Sequence, residues 1–413
     1  MDRRIFLTLV AAGLAQGARA APPGAPGPAD LLGATGEPYF IDWLGSFYPR
    51  ALAAGLPRPL VDRELSGLMA DPRVAALDTR QPEFSRPVSD YIRGVISPGR
   101  IATGREKRSA ITAFGAIEQT YGVPRDILIA VWAMESSFGA QQGDMDVVRS
   151  LATLAALGRR RPWAEGELIA ALKILGAGDV TRARLKGSWA GAMGQTQILP
   201  SVYLSSAVDE DRTGKPDVWA SAPDALATAA NLLAKSGWRR GEGWAVEVIL
   251  PSGFDYGLSE GPKEAFAWWA AKGVRRADGH AWASADAKAP GMLLLPCGAG
   301  GPAFLALPNH FAIRTYNNSI AYALGVGLLA DRFAGGAGVV TPWPHETPLS
   351  LTQRMDAQGA LIKLGFNPGV ADGVVGVGTR QALRAWQKTQ GLAADGYLSA
   401  AMVERLKVSA AKA

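Results

Sequence analysis

Cysteine is almost absent from this 413-residue chain. Cys297 is the only one, so no intrachain disulfide can form in any redox compartment. Leu293-Leu-Leu-Pro296 precede it and a Gly-rich run follows, with no histidine nearby, so it reads as a small structural residue rather than a nucleophile. Histidine is also scarce: His280, His310 and His345 are scattered and match no metal-ligand spacing. Charge is modest, with 19% charged residues and a formal net charge of +6. Nucleic-acid binding needs Lys and Arg clustered in a stripe, and none is visible, so no nucleic-acid partner is expected. No internal repeat points to a solenoid.

What is present begins with an export signature. Asp2, Arg3 and Arg4 precede an apolar run from Ile5 to Leu14, and Ala18-Arg-Ala20 supplies small residues for cleavage. Residues 1–20 therefore read as a removable signal peptide. The run is shorter than the ~20 apolar residues that span a bilayer. No cysteine lies in it, which excludes a lipoprotein box. Arg3-Arg4-Ile-Phe-Leu7 also looks like a twin-arginine signal, and the general secretory route stays open beside it. Either route implies the periplasm. Removing residues 1–20 lowers the net charge from +6 to +4, an ordinary surface balance for a chain that meets an acidic polymer.

Hydrophobic residues make up 48% of the chain, enough for globular cores. After a Pro/Gly-rich leader at 21–36, residues 37–333 read as one mostly helical body. Helices are expected over Glu106–Thr120, Pro124–Phe138, Ala222–Lys235, Pro262–Lys272 and Ser319–Phe333. Ala245–Leu250 and Ala303–Leu307 suit short strands. The fold class is thus mainly α (α+β with few short strands). Gly335-Gly-Ala-Gly338 and Thr341-Pro-Trp-Pro-His-Glu-Thr-Pro348 then mark a linker at 334–348, and residues 349–408 form a separate small unit.

The segment from Gly122 to Gly139 carries the clearest chemistry. Pro124 suits the first helical position, Asp126 the positive first turn, and Gly139 the residue past the end. Between them Ile127 to Met134 are apolar on nearly every side, the mark of a buried helix, yet the helix ends on Glu135. Desolvation and the negative helix end both favour a protonated carboxyl there. Such a group can donate a proton near neutral pH. On this segment alone, an acid and a merely paired or solvated glutamate stand level.

Two further stretches bear on that balance. Lys186-Gly-Ser-Trp-Ala-Gly-Ala-Met-Gly-Gln-Thr-Gln-Ile-Leu-Pro-Ser201 is dense in small residues and hydrogen-bonding side chains. Gly187, Gly191 and Gly194 permit close backbone approach to a ligand. Arg314-Thr-Tyr-Asn-Asn-Ser-Ile320 places a tyrosine and two amides before a helix, with Asn318 or Ser319 as its N-cap.

Met134-Glu-Ser-Ser-Phe-Gly139, the 187–201 run and Thr315-Tyr-Asn317, with Gly237-Trp238 after a helix, resemble the ordered motifs of the lytic murein transglycosylase family of the membrane-bound B type. The resemblance covers roughly residues 37–333. It implies a lysozyme-like helical catalytic domain acting on peptidoglycan glycan strands. Glu135 would be its sole catalytic acid/base, and Ser188, Gln197, Tyr316 and Asn317 would line the sugar groove. Gln195 falls where the family varies. The reaction implied is non-hydrolytic: the MurNAc–GlcNAc β-1,4 bond is cut to leave a 1,6-anhydro-MurNAc end. An ordinary glycosidase needs two carboxylates, and Asp144, Asp146, Glu165 and Glu167 are available in sequence. A hydrolytic muramidase therefore remains an alternative, as does a non-catalytic wall-binding protein that kept the fold.

Asp209-Glu-Asp-Arg-Thr-Gly-Lys-Pro-Asp217 resembles the start of an EF-hand loop, a loop that some family members fill with calcium. Thr213 replaces an acidic residue, Ala220 stands at the closing position, and Asp224 offers a substitute. The expectation is a loop without metal and an enzyme without cofactor; Asp209, Asp211, Thr213 and Asp224 would be the ligands otherwise. Of twelve tryptophans, Trp132 suits the core and Trp189 a cleft. Residues 349–408 read as helix, loop, helix, loop, helix, with stripes of Leu351, Met355, Leu361, Leu364 and of Ala382, Leu383, Trp386. Asp372-Gly373 and Asp395-Gly396 mark turns. This unit resembles the three-helix peptidoglycan-binding domain of wall hydrolases, whose tethering raises local concentration at the wall. Wall-synthesis or division proteins are unspecified as partners.

Overall fold

The computed structural model describes residues 32–33, 36–79, 86–282 and 288–412. The signal peptide and most of the leader lie outside the described residues. Two compact units emerge: one draws on the chain up to Gln81 and on Ala110–Lys235, the other on Pro82–Ser109 and Ser236–Ala413. The stretch expected as one helical body contributes to both.

The first unit is helical because its apolar residues recur at helical spacing and find one another. Val147–Leu157 and Arg161–Ala177 pack closely, burying Val148, Leu151, Leu154, Leu168 and Leu172. Pro38–Ala53 and Pro72–Thr79 lie against the first of these. The Arg125–Ser136 helix is buried from Ile127 through Ala133. Its start differs from expectation: Pro124 is the N-cap, with ψ 141°, and the helix begins one residue later. A two-stranded antiparallel ladder joins β1 (Met145–Asp146) to β2 (Lys186–Gly187).

The second unit holds a five-stranded antiparallel sheet in the order β4-β6-β7-β3-β5. Its strands are β3 (Ala245–Ile249), β4 (Lys263–Ala265), β5 (Arg275–Arg276), β6 (Pro290–Leu294) and β7 (Ala303–Ala306). β3 and β7 match the two expected apolar runs, with Val246 opposite Leu305 and Val248 opposite Ala303. Two expected helices differ. Pro262–Lys272 opens as strand β4, paired to β6, and becomes helical only over Phe266–Ala271. Glu106–Thr120 is broken into Pro98–Ala110 and Phe114–Tyr121, which belong to different units. The first of those buries only Gly104, against the Phe333 ring, while the second buries Phe114 and Ile117. Tertiary packing there overrides a continuous helical propensity.

The three C-terminal helices, Leu351–Lys363, Val377–Thr389 and Ala400–Lys412, enclose Leu361, Leu383, Trp386, Val403 and Leu406. Leu351 and Met355 are 55% and 40% exposed, so that end of the expected stripe covers the Gly373 turn instead of the core. Both Asp-Gly pairs are turns read by a buried glutamine. Gly373 N donates to Gln358 Oε1 and Gly396 N to Gln387 Oε1, each at 2.7–2.8 Å. These helices are also fastened to the sheet region. Glu260 accepts from Arg380 at 2.6 and 2.7 Å and from Arg384 at 3.0 Å, and Ala299 N donates to Asp395 Oδ2. The preceding connection is held along its length: Val340 N and Thr341 N donate to Glu247, and Ser89 Oγ to Glu346.

Candidate active site

Glu135 is the penultimate residue of its helix and half-buried, where the helix first leaves the core. The chain then reverses at once. Ser137 and Phe138 both take left-handed conformations, φ 51° and 60°, followed by Gly139 at 86°. Two consecutive non-glycine residues in that region store strain, which persists only where surroundings enforce it. The enforcement is visible. Ser136 Oγ donates to the Gln195 carbonyl and accepts from Gly139 N. The Trp132 indole donates to Gln195 Oε1 at 3.0 Å, and the Phe138 ring meets Trp132 edge-on at 5.8 Å.

The run from Gly187 to Ile198 is a second tight structure against this one. Ser188 N donates to Ala192 O, and Ala192 N returns a bond to Ser188 Oγ at 3.1 Å. A hydroxyl that accepts can still donate its own proton outward. Gln197, left-handed at φ 48°, directs Nε2 to the carbonyls of Gln142 and Gly194, leaving Oε1 as an acceptor. Gln142 Nε2 in turn donates to Gly139 O and Trp219 O. The glycines make room for this fabric rather than for a ligand. A Cβ on Gly187 would stand 2.1 Å from Ala192 O, and one on Gly194 2.7 Å from Val218 O.

Glu135, Ser188 and Gln197 thus lie within one unit. Tyr316 and Asn317 lie in the other, in the turn between the Pro308–Ile313 and Ile320–Phe333 helices. Tyr316 N donates to Ile313 O, and Asn317 O accepts from Ser319 N at 2.7 Å. Ser319, not Asn318, is the N-cap of the second helix, accepting from Tyr322 N; Asn318 Oδ1 accepts from Arg314.

Three of the four other carboxylates raised by the sequence have structural tasks. Asp146 caps the Val147–Leu157 helix and pairs with Arg182. Glu165 accepts from the Trp43 indole and Arg50. Glu167 is buried, which raises its carboxyl above the usual range, while bonds from Ser201 N and Oγ oppose the shift. Asp144 is 89% exposed.

Asp209, Asp211 and Asp224 bring carboxylate oxygens within 4.8 Å of one another. Asp224, fully buried, accepts from the backbone N–H groups of Glu210, Asp211 and Asp217. Asp209 accepts from Thr213 N and Gly214 N, and Asp211 also from Thr213 N. These carboxylates already satisfy the loop backbone, and position 220 supplies only a methyl group. The three carboxylates would be the side-chain ligands of a cation bound in this loop, and backbone carbonyls or water would have to supply the rest of the six to eight oxygens that calcium takes.

A family model described as a transglycosylase SLT domain matches residues 39–331. The chain belongs to the transglycosylase SLT family. A second model, a putative peptidoglycan binding domain, matches residues 350–406. Among its relatives, membrane-bound lytic murein transglycosylase B of Escherichia coli is 33% identical over 227 residues, 52% of this chain and 58% of that protein. The match therefore spans little more than half the curated relative. SltB3 of Pseudomonas aeruginosa, solved with NAG-anhNAM-pentapeptide, is 45% identical with a TM-score of 0.85, covering 90% of this chain and all of that one. The Escherichia coli transglycosylase SLT35, solved in complex with calcium, is 27% identical with a TM-score of 0.61, covering 72% and 93%. The B-type resemblance and the mainly-α, lysozyme-like class are both borne out.

One residue beside the Glu135 helix lies outside the site read from the sequence. Gln195, set aside as variable, is the hub joining Trp132, Ser136 and Trp219. Its signal was Trp132, a buried indole whose N–H needs an acceptor.

Proposed function

We propose that this chain is a lytic murein transglycosylase that cuts the MurNAc–GlcNAc β-1,4 bond of peptidoglycan without water. Glu135 protonates the glycosidic oxygen as the bond breaks, and the GlcNAc side leaves as an alcohol. The MurNAc N-acetyl oxygen stabilises the electron-poor anomeric carbon. The Glu135 carboxylate then takes the proton of the MurNAc 6-hydroxyl, whose oxygen closes on that carbon as a 1,6-anhydro ring. Every proton that Glu135 gives is recovered, so no second carboxylate is required. Ser188, able to donate, and Gln197, whose Oε1 can accept, line the sugar groove in this reading; Tyr316 and Asn317 of the second unit are sugar-binding residues by the family resemblance alone. The observation that carries this reading is the half-buried carboxyl of Glu135 at a strained helix end, with Asp146, Glu165 and Glu167 committed to structural bonds.

Residues 1–20 export the chain to the periplasm in this reading, residues 37–333 form the catalytic domain, 334–348 the connection, and 349–408 bind the wall. The binding of SltB3 to NAG-anhNAM-pentapeptide and NAG-NAM-pentapeptide supports peptidoglycan as substrate. The test is digestion of purified peptidoglycan with product masses read by mass spectrometry. Anhydro-muropeptides are expected, with Glu135→Gln reducing their rate by about 10²–10⁴-fold, the usual worth of general acid–base catalysis. Products one water heavier would make the chain a hydrolytic muramidase; no products from the wild type would leave a wall-binding protein.

A further inference from the structure

We propose that Trp189 is a sugar-stacking platform of the glycan groove, held ready by a guanidinium clamp. This rests on the function proposed above and names a contact for the substrate's sugar ring. Trp189 follows Ser188 directly and is half-buried. The Arg160 guanidinium carbon lies 5.2 Å from its ring centroid and 5.1 Å from that of Trp163. The cation is thus shared by two indoles. Arg160 is anchored in turn by Asp78, which accepts from Arg160 at 2.7 Å and from Arg159 at 2.6 Å. Asp78 is only 6% exposed. Burial alone would raise its carboxyl, but the Arg159 and Arg160 bonds hold it below the usual range. Arg160 Nε is buried without an acceptor among the described residues, as an edge enclosed by aromatic faces would be.

Among the described residues, no second ring or cation covers Trp189. A pyranose presents axial C–H bonds on one face, an apolar surface of about the size of an indole. Aromatic side chains bury large area at small entropic cost, and a ring already fixed in orientation loses less on binding. The Arg160 clamp supplies that fixation through cation–π attraction. Arg160 and Trp163 are positioning residues; Trp189 is the contact.

The test measures affinity for soluble glycan strands by calorimetry, using the full chain with Glu135→Gln so that no turnover intervenes. On that background Trp189→Ala is expected to weaken binding about tenfold and Trp189→Phe to stay within about threefold, the range of one stacking contact. Trp189→Leu keeps apolar volume without a ring face and should lose as much as alanine. Trp163→Ala and Arg160→Ala should each raise KM in the active enzyme with kcat unchanged, and Arg160→Lys should restore part of the loss. Wild-type affinity in Trp189→Ala, or equal affinity in the leucine and phenylalanine variants, overturns the platform. Failure of the Glu135→Gln parent itself to bind glycan overturns the function beneath it instead.

Discussion

His310 is fully buried, stacked at 6.4 Å on Trp244, with neither ring nitrogen hydrogen-bonded among the described residues. Burial, assisted by the Arg314 charge, pushes its pKa down to about 3. The folded protein therefore carries it neutral, while the unfolded chain binds a proton below the usual value near 6.5. Stability must fall as pH drops through the window from 6.5 to 3, by about 1.4 kcal/mol per unit for this group. His310→Leu removes the group that titrates. Urea titrations at pH 7, 5.5 and 4 should show a shallower acid loss in the variant than in the wild type. At the same scale, the buried helix ending at Glu135 was legible from its apolar run. The role of Gln195 was not, because its partners are 59 and 63 residues away in sequence.

Elements show where local pattern suffices and where it yields. The Glu135 helix, the Ala222–Lys235 helix and strands β3 and β7 follow from residue periodicity alone. Strand β4 does not, since Lys263–Ala265 is extended only because β6 accepts it as a neighbour. The 187–198 structure depends on glycine in the same non-local way. Gly187→Ala places a methyl group 2.1 Å from the Ala192 carbonyl oxygen, so the loop must shift. A loss exceeding about 2 kcal/mol is expected for such overpacking, with kcat falling as the Gln197 and Ser188 positions move. Gly166→Ala is the control: it lies within Arg161–Ala177 with nothing within 4 Å of the added carbon. That change should be neutral or stabilise by about 0.5–1 kcal/mol. Thermal melts and turnover of the two variants decide the matter.

For the molecule as a whole, the C-terminal helices are more than a tethered module. Glu260 is 11% exposed, left-handed at φ 57°, and surrounded by Arg380, Arg384 and the Ser259 hydroxyl on Arg384. Burial would raise its carboxyl, yet the two arginines hold it below the usual range near 4.5. A depressed carboxylate contributes stability above its unfolded value, and that contribution is lost as pH falls through the folded one. Limited proteolysis of the 334–348 connection should therefore accelerate below pH 4.5. Glu260→Gln should cut readily already at pH 7, because two half-buried cations lose their carboxylate partner. Equal cleavage rates at pH 7 for variant and wild type would show that the docking does not depend on this cluster.

The sequence by itself determined the helical class, the buried helix that ends at Glu135, the three C-terminal helices and the family, because each rests on short-range spacing. Apolar periods, caps and ordered motifs are properties of neighbouring residues. Tertiary structure alone decided that Gln195 pins the Glu135 helix, that glycines at 187 and 194 serve internal packing, and that the C-terminal helices are bound to the sheet region. It also decided that Asp146, Glu165 and Glu167 already have partners. Those facts depend on which distant groups meet in a dense interior, where each buried donor must find an acceptor. Glu135 sits at the end of its helix, just before a strained turn that distant neighbours hold in place.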